Sequence, residues 1–144
     1  MKLKLYLAAL LFGVFALQSC DDDDDKSVKV PEAVKEAFAQ KYPTTPAYEW
    51  DLERGFYVAD FRNDYRDAEA WFKADGTWVK TETDYVTALP EVVQNYVTTN
   101  YADYRIDDVD WVETPSQTYF DIELEKKGVP DVSLKIQEDG TVIQ

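Results

Sequence analysis

The sequence contains one pattern twice, and this duplication constrains the fold more than any other feature. Val30-Pro31-Glu32 begins the first copy, and Leu89-Pro90-Glu91 begins the second, 59 residues later. The shared landmarks are a Trp, a Tyr in an alternating segment and an Asp-Gly pair: Trp50, Tyr57 and Asp75-Gly76 in the first copy, and Trp111, Tyr119 and Asp139-Gly140 in the second. Repetition of this kind indicates two equivalent supersecondary units. We therefore expect repeat one to span 30–84 and repeat two to span 89–144.

The N-terminal segment resembles the leader of a bacterial lipoprotein. Lys2 and Lys4 precede an apolar run, 5–17, that is short for a membrane span. Leu17-Gln18-Ser19-Cys20 then resembles a lipobox, so we expect removal of 1–19 and lipid attachment at Cys20. An ordinary secretory peptide that happens to contain a cysteine is the alternative. Cys20 is the one cysteine of the chain, so acylation would leave no thiol for a disulfide or a metal.

Five aspartates, Asp21 to Asp25, follow the cysteine directly. A run of like charges repels itself, so we interpret residues 20–29 as the lipidated cysteine and an acidic tether. The run resembles the acidic signal of lipoproteins on the outer membrane of Bacteroidota-type bacteria. In enterobacteria, an Asp after the lipidated cysteine instead indicates retention at the inner membrane. We expect the protein to be attached to the outer membrane, and both the periplasmic and the surface leaflet are kept as alternatives for the lipid anchor.

The charge of the chain restricts its partners. Removal of Lys2 and Lys4 with the leader leaves 13 basic residues against 29 acidic ones, a net charge of −16. Such a surface repels nucleic acid and anionic lipid, and it favours basic partners. We therefore expect contact with the membrane through the lipid anchor only, and no nucleic-acid partner.

Hydrophobic periodicity predicts one helix and four strands in each repeat. Apolar residues recur at helical spacing after each proline, as Val34, Ala37, Phe38 and Tyr42 and as Val93, Tyr96, Val97 and Tyr101. Alternation at a period of two then predicts strands, and each Asp-Gly pair predicts a tight hairpin. One helix cannot cover a four-stranded face alone. The sequence thus predicts an α+β fold: a tandem α-β-β-β-β repeat forming one antiparallel sheet of about eight strands with helices on one face.

Each copy contains, in order, Val/Leu-Pro-Glu, Tyr, Trp, Tyr-x-Val/Ile and Asp-Gly-x-Trp/Val, and both copies follow a lipobox-like segment. This duplicated order resembles the PepSY-like, β-lactamase-inhibitor-like family. The resemblance covers residues 30–144. It implies a fold like that of the β-lactamase inhibitor protein, with an eight-stranded sheet that carries helices on one side. The disulfides of the true inhibitor have no counterpart in this sequence, and fold similarity alone does not establish inhibition.

The sequence carries little that indicates catalysis. It has no histidine, the commonest general base and metal ligand, and no Gly-rich phosphate loop or nucleophile elbow. Two groups of carboxylates stand out: Asp107, Asp108 and Asp110, and Asp121, Glu123 and Glu125. Their strand spacing places them on a polar face opposite the core, where solvated side chains are the usual finding. We expect no enzyme activity, no cofactor and no metal site.

Aromatic residues suggest an interaction surface on the face away from the helices. In repeat one that face should carry Phe56, Val58 and Trp71, and in repeat two it carries Tyr119 beside polar residues. An exposed apolar patch usually marks a binding site. A register slip of one residue would instead turn Phe56 and Val58 inward. We expect Trp50 and Trp111 to pack under the helices.

These observations predict a non-catalytic cell-envelope lipoprotein that binds an unidentified protein or peptide through the open sheet face, with Phe56, Val58, Trp71 and Tyr119 as candidate contacts. A protease or another hydrolase is one class of partner, which would make the protein an inhibitor or a regulator. A glycan-binding module that uses exposed aromatic rings is the main alternative. A purely structural envelope protein is the third hypothesis.

Overall fold

The computed structural model describes residues 28–143 and contains two helices and seven strands in that range. In chain order they are α1 (Glu32–Lys41), β1 (Glu49–Glu53), β2 (Phe56–Asn63), β3 (Arg66–Phe72), β4 (Trp78–Asp84), α2 (Glu91–Asn100), β5 (Arg105–Glu113), β6 (Thr118–Glu125) and β7 (Val132–Ile136). The predicted signal peptide 1–19, the predicted lipid-attachment residue Cys20 and the acidic run Asp21–Asp25 lie outside the described residues.

The two helices begin and end in the same way. Pro31 and Pro90 directly precede α1 and α2, and each proline carbonyl accepts hydrogen bonds from two amides of the first turn. A proline suits this place because its missing N–H would have no partner inside the helix. At the other end, Tyr42 and Tyr101 each donate their backbone N–H to the carbonyl four residues earlier at 2.8 Å. The predicted equivalence of the two copies is thus visible in their local hydrogen bonds.

All seven strands form one antiparallel sheet in which the spatial order follows the chain order, β1 to β7. The two repeats join where β4 pairs with β5, with Thr81 opposite Glu113 and Thr83 opposite Trp111. Thr81 also lies opposite Ala70 of β3. Ala70, Thr81, Thr83 and Trp111 therefore face the same side of the sheet, across the junction of the repeats. The two repeats therefore share one continuous sheet.

The core lies on that one side of the sheet and has two halves. In repeat one, α1 buries Val34 and Phe38 against strand residues Ala59, Phe61, Ala68, Ala70 and Phe72. In repeat two, α2 buries Val93 and Val97 against Phe120, Ile122, Leu124, Leu134 and Ile136. Trp50 and Trp111 pack against these clusters, as predicted. Both helices cover the same face, so the α+β arrangement expected from the sequence is confirmed.

The strand count is seven where the sequence predicted about eight. After the turn at Gly140 the chain makes one isolated bridge, between Val142 and Ile136, and Ile143 donates its N–H to the carbonyl of Lys135 at 2.9 Å. One bridge is shorter than the ladder that defines a strand. This segment nevertheless lies along β7, where the predicted eighth strand would lie.

The Asp-Gly turns of the two repeats dock against equivalent helix positions. Gly76 and Gly140 have φ angles of +85° and +88°. A Cβ added at Gly76 would lie 2.6 Å from the carbonyl oxygen of Ala33, and one added at Gly140 would lie 2.9 Å from Cγ2 of Val92. Ala33 and Val92 are each the second residue of their helix. Glycine is required at these turns because the backbone conformation is left-handed and the helix leaves no room for a side chain.

Replacement of Gly76 by alanine should therefore cost more stability than replacement of Gly55, which has the same φ of +85° but nothing within 4 Å of an added Cβ. Gly55→Ala should lower the free energy of unfolding by about 1–2 kcal/mol, the cost of a left-handed alanine. Gly76→Ala should add about 1–3 kcal/mol to that cost because of the overlap with the helix backbone. Urea unfolding of both variants measures the difference, and equal losses would contradict the docking of the turn against α1.

Candidate functional site: the open face of the sheet

The side of the sheet opposite the helices, here called the open face, is not covered by any other element within residues 28–143. It is concave, with a cavity of about 240 Å³ near its centre. Seven carboxylate residues, two basic residues, Trp71 and Ser133 line this cavity: Glu53, Glu69, Glu82, Asp108, Asp110, Asp121, Glu123, Arg54, Lys80, Trp71 and Ser133. The open face is therefore predominantly acidic at its centre.

One row of carboxylates crosses the first four strands. Glu49 of β1 lies opposite Asp60 of β2, Asp60 lies opposite Glu69 of β3, and Glu69 lies opposite Glu82 of β4. Like charges directly opposite each other in a sheet are destabilising. The arrangement thus opposes the stability of the isolated chain.

A second group of carboxylates lies where the repeats join. Asp84 of β4 lies opposite Asp110 of β5, which lies opposite Asp121 of β6. On the same two strands, Asp108 lies opposite Glu123. Sequence analysis assigned Asp108, Asp110, Asp121 and Glu123 to a solvated face, and the structure brings all four into the cavity. Their meeting follows from strand register, for which the sequence gives no direct signal.

Lys80 shows how this face holds a positive charge. Its Nζ lies 2.6 Å from Oε1 of Glu82 and 4.2 Å from the centroid of the Trp71 ring. The side chains of Lys80 and Glu82 are 26% and 20% exposed, so the ion pair is partly shielded from water. An ammonium held between an aromatic face and a carboxylate combines cation–π and ionic attraction.

The four candidate contact residues all lie on the open face, but they do not form an exposed patch. Val58 lies opposite Trp71, and both alternate with core residues, so the register-slip alternative is wrong. Val58, Trp71 and Tyr119 are only 2%, 9% and 8% exposed. Phe56 is half-buried, with its ring centroid 6.2 Å from that of Trp71. The prediction that these residues are exposed is therefore wrong, while their role in partner binding stays a prediction.

A lysine on a neighbouring strand lies over each of two of these rings. Lys80 covers Trp71, and Nζ of Lys135 lies 5.8 Å from the centroid of the Tyr119 ring. Long basic side chains cover aromatic surface while keeping their charge near water. The same burial raises the pKa of Tyr119, and the negative charges of Asp121 and Glu82 add to that rise.

The indole N–H of Trp71 is a buried donor without an acceptor among the described residues. The residue lines the central cavity and is nine-tenths buried. An unused buried donor carries a desolvation cost of about 1–3 kcal/mol. The open face therefore contains one hydrogen-bonding group that the fold leaves unused, next to the carboxylates.

Asp60 has the most perturbed acid–base equilibrium of this face. Its pKa is raised to about 6: burial is the largest cause, and the negative charges of Asp51, Glu49, Glu53 and Asp67 contribute to the same rise in that order. A carboxyl group surrounded by other carboxylates resists ionisation. The negative charges on this side of the sheet thus add to the effect of burial on the protonation of Asp60.

The carboxylates do not form a metal centre. Within residues 28–143, no three or more of the His, Cys, Asp and Glu side chains come together as metal ligands would. In the same range, neither helix has the length and apolar character that a membrane crossing requires.

The sequence analysis did not identify three apolar side chains that the structure exposes to solvent. Tyr48 and Leu52 are 62% and 56% exposed, and Tyr65, at the tip of the β2–β3 hairpin, is 96% exposed. Tyr48 and Leu52 flank Trp50 in sequence. They lie at the edge of the sheet, since within residues 28–143 β1 has a paired strand on one side only. Tyr65 has a φ of +67°, a conformation that favours glycine, so its presence is not explained by turn stability.

Comparisons with known proteins agree with this architecture. The model of the family described as "Putative beta-lactamase-inhibitor-like, PepSY-like" matches residues 24–66 and 55–144. A BLIP-like protein from Bacteroides fragilis is 30% identical, with a TM-score of 0.72 over 85% of this chain and 89% of that one. A DUF2874 family protein from Bacteroides uniformis is 27% identical, with a TM-score of 0.72 over 80% and 87% of the two chains. A protein from Bacteroides eggerthii described as "putative periplasmic" is 28% identical, with a TM-score of 0.70 over 80% and 86%. No curated protein matches the chain. The resemblance inferred from the duplicated pattern is confirmed.

Titration of Asp60 tests the electrostatics of the open face. Carboxyl NMR shifts should give Asp60 a midpoint near pH 6, and Asp51→Asn should lower that midpoint because it removes the strongest neighbouring charge. Asp75 and Asp139 serve as internal controls in the same spectra, since hydrogen bonds from Thr77 and Thr141 lower their pKa values below 3.8. An Asp60 midpoint near 4 would contradict the clustering of charge.

The same shift predicts how Asp60 affects stability. The folded chain binds the Asp60 proton more tightly than the unfolded chain does, so this group favours folding below about pH 4, and its contribution is lost as the pH rises to about 6. Asp60→Asn should therefore be more stable than the unsubstituted protein above pH 6, with an advantage that shrinks towards pH 4. Urea unfolding at several pH values measures this trend, and an advantage that grows on acidification would contradict it.

Proposed function

The chain belongs to the PepSY-like, β-lactamase-inhibitor-like family, and from this premise we propose that it is a non-catalytic binding module of the bacterial cell envelope. Its partner is a protein or peptide with a basic surface, which binds on the open face. The observation that carries the proposal is a concave sheet face that the helices leave uncovered and that seven carboxylate residues line at its centre.

Charge supports a basic partner. The cavity is lined by seven acidic and two basic residues, and the whole chain carries a net charge of −14. Besides burial, the negative charges of Asp51, Glu49 and Glu53 raise the pKa of Asp60, so the carboxylates at this end of the open face repel one another in the free protein. A partner that brings lysine or arginine side chains to this face relieves the repulsion and is also steered towards it from a distance.

Lys80 and Trp71 suggest how the contact is made. The chain already places one ammonium between an indole ring and a carboxylate on this face. A basic side chain of the partner finds the same two kinds of group there. The unused indole N–H of Trp71 offers a hydrogen bond to a carbonyl oxygen of the partner.

The family and its neighbours support an exported enzyme as the class of partner. The Bacteroides fragilis structure is described as BLIP-like, and the matched family is described as β-lactamase-inhibitor-like. By extension, the partner of this chain is a secreted or periplasmic hydrolase, and the chain inhibits or regulates it. The absence of histidine from the sequence agrees with a binding rather than a catalytic role.

The leader-like N-terminal segment and the description of one similar solved structure support the proposed location in the cell envelope. The lipobox-like Leu17-Gln18-Ser19-Cys20 supports lipid attachment at Cys20, and the acidic run that follows supports the outer membrane as the destination. The description of the Bacteroides eggerthii protein as "putative periplasmic" agrees with an envelope location.

Binding to sugars is less well supported than binding to a protein. Stacking on a glycan requires an accessible aromatic face. On the open face, Trp71 and Tyr119 are 9% and 8% exposed and each carries a lysine over its ring.

Neutralising two cavity carboxylates should weaken partner capture. Asp108→Asn combined with Glu123→Gln removes two opposed charges from β5 and β6 without touching the core. The matched control, Glu36→Gln combined with Glu91→Gln, removes two exposed charges from the helices. In pull-downs from a bacterial envelope extract, we expect the first variant to lose about 90% of a specific partner and the control to retain it.

The recovered partner is then tested as an enzyme, with and without the module, to establish inhibition or regulation. Equal losses in the two variants would show that net charge alone attracts the recovered proteins. Full recovery by the Asp108→Asn/Glu123→Gln variant would contradict binding on the open face.

A further inference from the structure

We propose that the free edge of β1 is a second contact surface, at which an extended partner segment of alternating apolar and basic residues pairs as an added strand. This inference deepens the proposed function and rests on it for the charge of the partner. It names the conformation and the residue pattern of the segment that is bound.

The two edges of the sheet differ in how their backbone is covered. Val142 bridges to Ile136, and Ile143 donates its N–H to the carbonyl of Lys135, so the chain's own C-terminal segment lies along β7. Within residues 28–143, β1 pairs with β2 and with nothing on its other side. The N–H and C=O groups of an uncovered edge strand are a template for another strand. β1 also lacks the proline, the lysine and the bulge that commonly block such pairing.

The helix side of β1 is apolar and open to an incoming strand. Tyr48 and Leu52 are 62% and 56% exposed on this side, and Trp50 between them packs edge-on against Phe38 at 5.5 Å. Trp50 also lines an open cavity of about 680 Å³, together with Val28, Lys29, Val30, Pro31, Glu32 and Lys35. A strand added at β1 would place every second side chain against this apolar stripe and cavity.

The other side of β1 is acidic. Glu49, Asp51 and Glu53 alternate with the apolar residues and project on the open-face side. The same three carboxylates raise the pKa of Asp60, which shows that their field extends across to β2. The remaining side chains of an added strand would meet this row, so a basic residue at every second position matches it. Backbone pairing supplies affinity in such complexes, and alternate side chains supply specificity.

Charge argues against two other occupants of the edge. A second copy paired antiparallel through β1 would bring Glu49, Asp51 and Glu53 against the same residues of its partner, and like charges opposite each other are unfavourable. The run Asp21 to Asp25 of the same chain also carries the wrong sign. A basic segment of another protein is the occupant that both sides of β1 fit.

The test uses the full chain and synthetic peptides of about eight residues. The probe alternates valine and lysine, and a peptide of the same composition with its valines and lysines in two blocks is the control for charge. The probe should bind at least about tenfold more tightly than the block peptide and should slow hydrogen exchange of amides within Glu49–Glu53.

Two double-lysine variants then test the position of the contact. Tyr48→Lys combined with Leu52→Lys should weaken binding of the probe about tenfold or more. Tyr65→Lys combined with Val86→Lys, at positions 96% and 76% exposed, adds the same charge elsewhere and should leave binding nearly unchanged.

Equal binding of the two peptides, unaltered exchange within β1, or equal losses in the two double-lysine variants would each overturn the edge proposal. The open-face proposal is judged separately. One outcome is that Asp108→Asn/Glu123→Gln loses the envelope partner, while Tyr48→Lys/Leu52→Lys changes the binding of neither the partner nor the probe. That outcome would retain the open-face proposal and reject the edge proposal. The reverse pattern would reject the open face and support the edge.

Discussion

The pairing of β4 with β5 is the contact on which the rest of the structure depends. It spans four residue pairs, from Thr81 opposite Glu113 to Asp84 opposite Asp110. Through this ladder, two units that each have one ten-residue helix become a single sheet with two helices on one side. On the helix side the junction is polar, because Thr81 and Thr83 are buried there between the two apolar clusters. The hydroxyl of Thr81 is satisfied by the hydroxyl of Tyr42 at 2.6 Å and by the indole N–H of Trp78 at 3.0 Å. The buried hydroxyl of Thr81 at the junction is therefore satisfied by side chains of repeat one.

The sequence predicted the parts of the fold that depend on local periodicity. The helical stripes, the Asp-Gly hairpins and the inward side of β2, marked by Ala59 and Phe61, all follow from spacing within one segment. What it did not predict depends on neighbouring strands. Trp71 was placed on the correct face, but alternation alone does not place Lys80 of β4 over its ring. The pairs of opposed carboxylates could not be predicted from the sequence either, because a shift of one residue in strand register turns every side chain to the other face.

The acidic face is explained by function better than by stability. Four carboxylates lie directly opposite one another from Glu49 to Glu82. Burial first, and then neighbouring negative charges that include Glu49, raise the pKa of Asp60, so ionising this group costs stability. The unpaired indole N–H of Trp71 is a further cost at the same site. Features that a fold does not need for its own stability tend to persist at surfaces that contact something else. Here both features lie on the side of the sheet that the helices leave uncovered.

Duplication explains why the two repeats, similar in sequence, differ in what they expose. The strand that contains Trp50 and the strand that contains Trp111 are equivalent in the pattern, yet within residues 28–143 β5 pairs on both sides while β1 pairs on one. In that part of the chain, joining two copies end to end covers the first strand of the second copy and leaves one side of the first strand of the first copy without a paired strand. Glu53 belongs to that free strand and also lines the central cavity. The edge and the open face are thus one continuous acidic surface, so a single basic partner that extends a strand along β1 would reach the cavity without any rearrangement of the sheet.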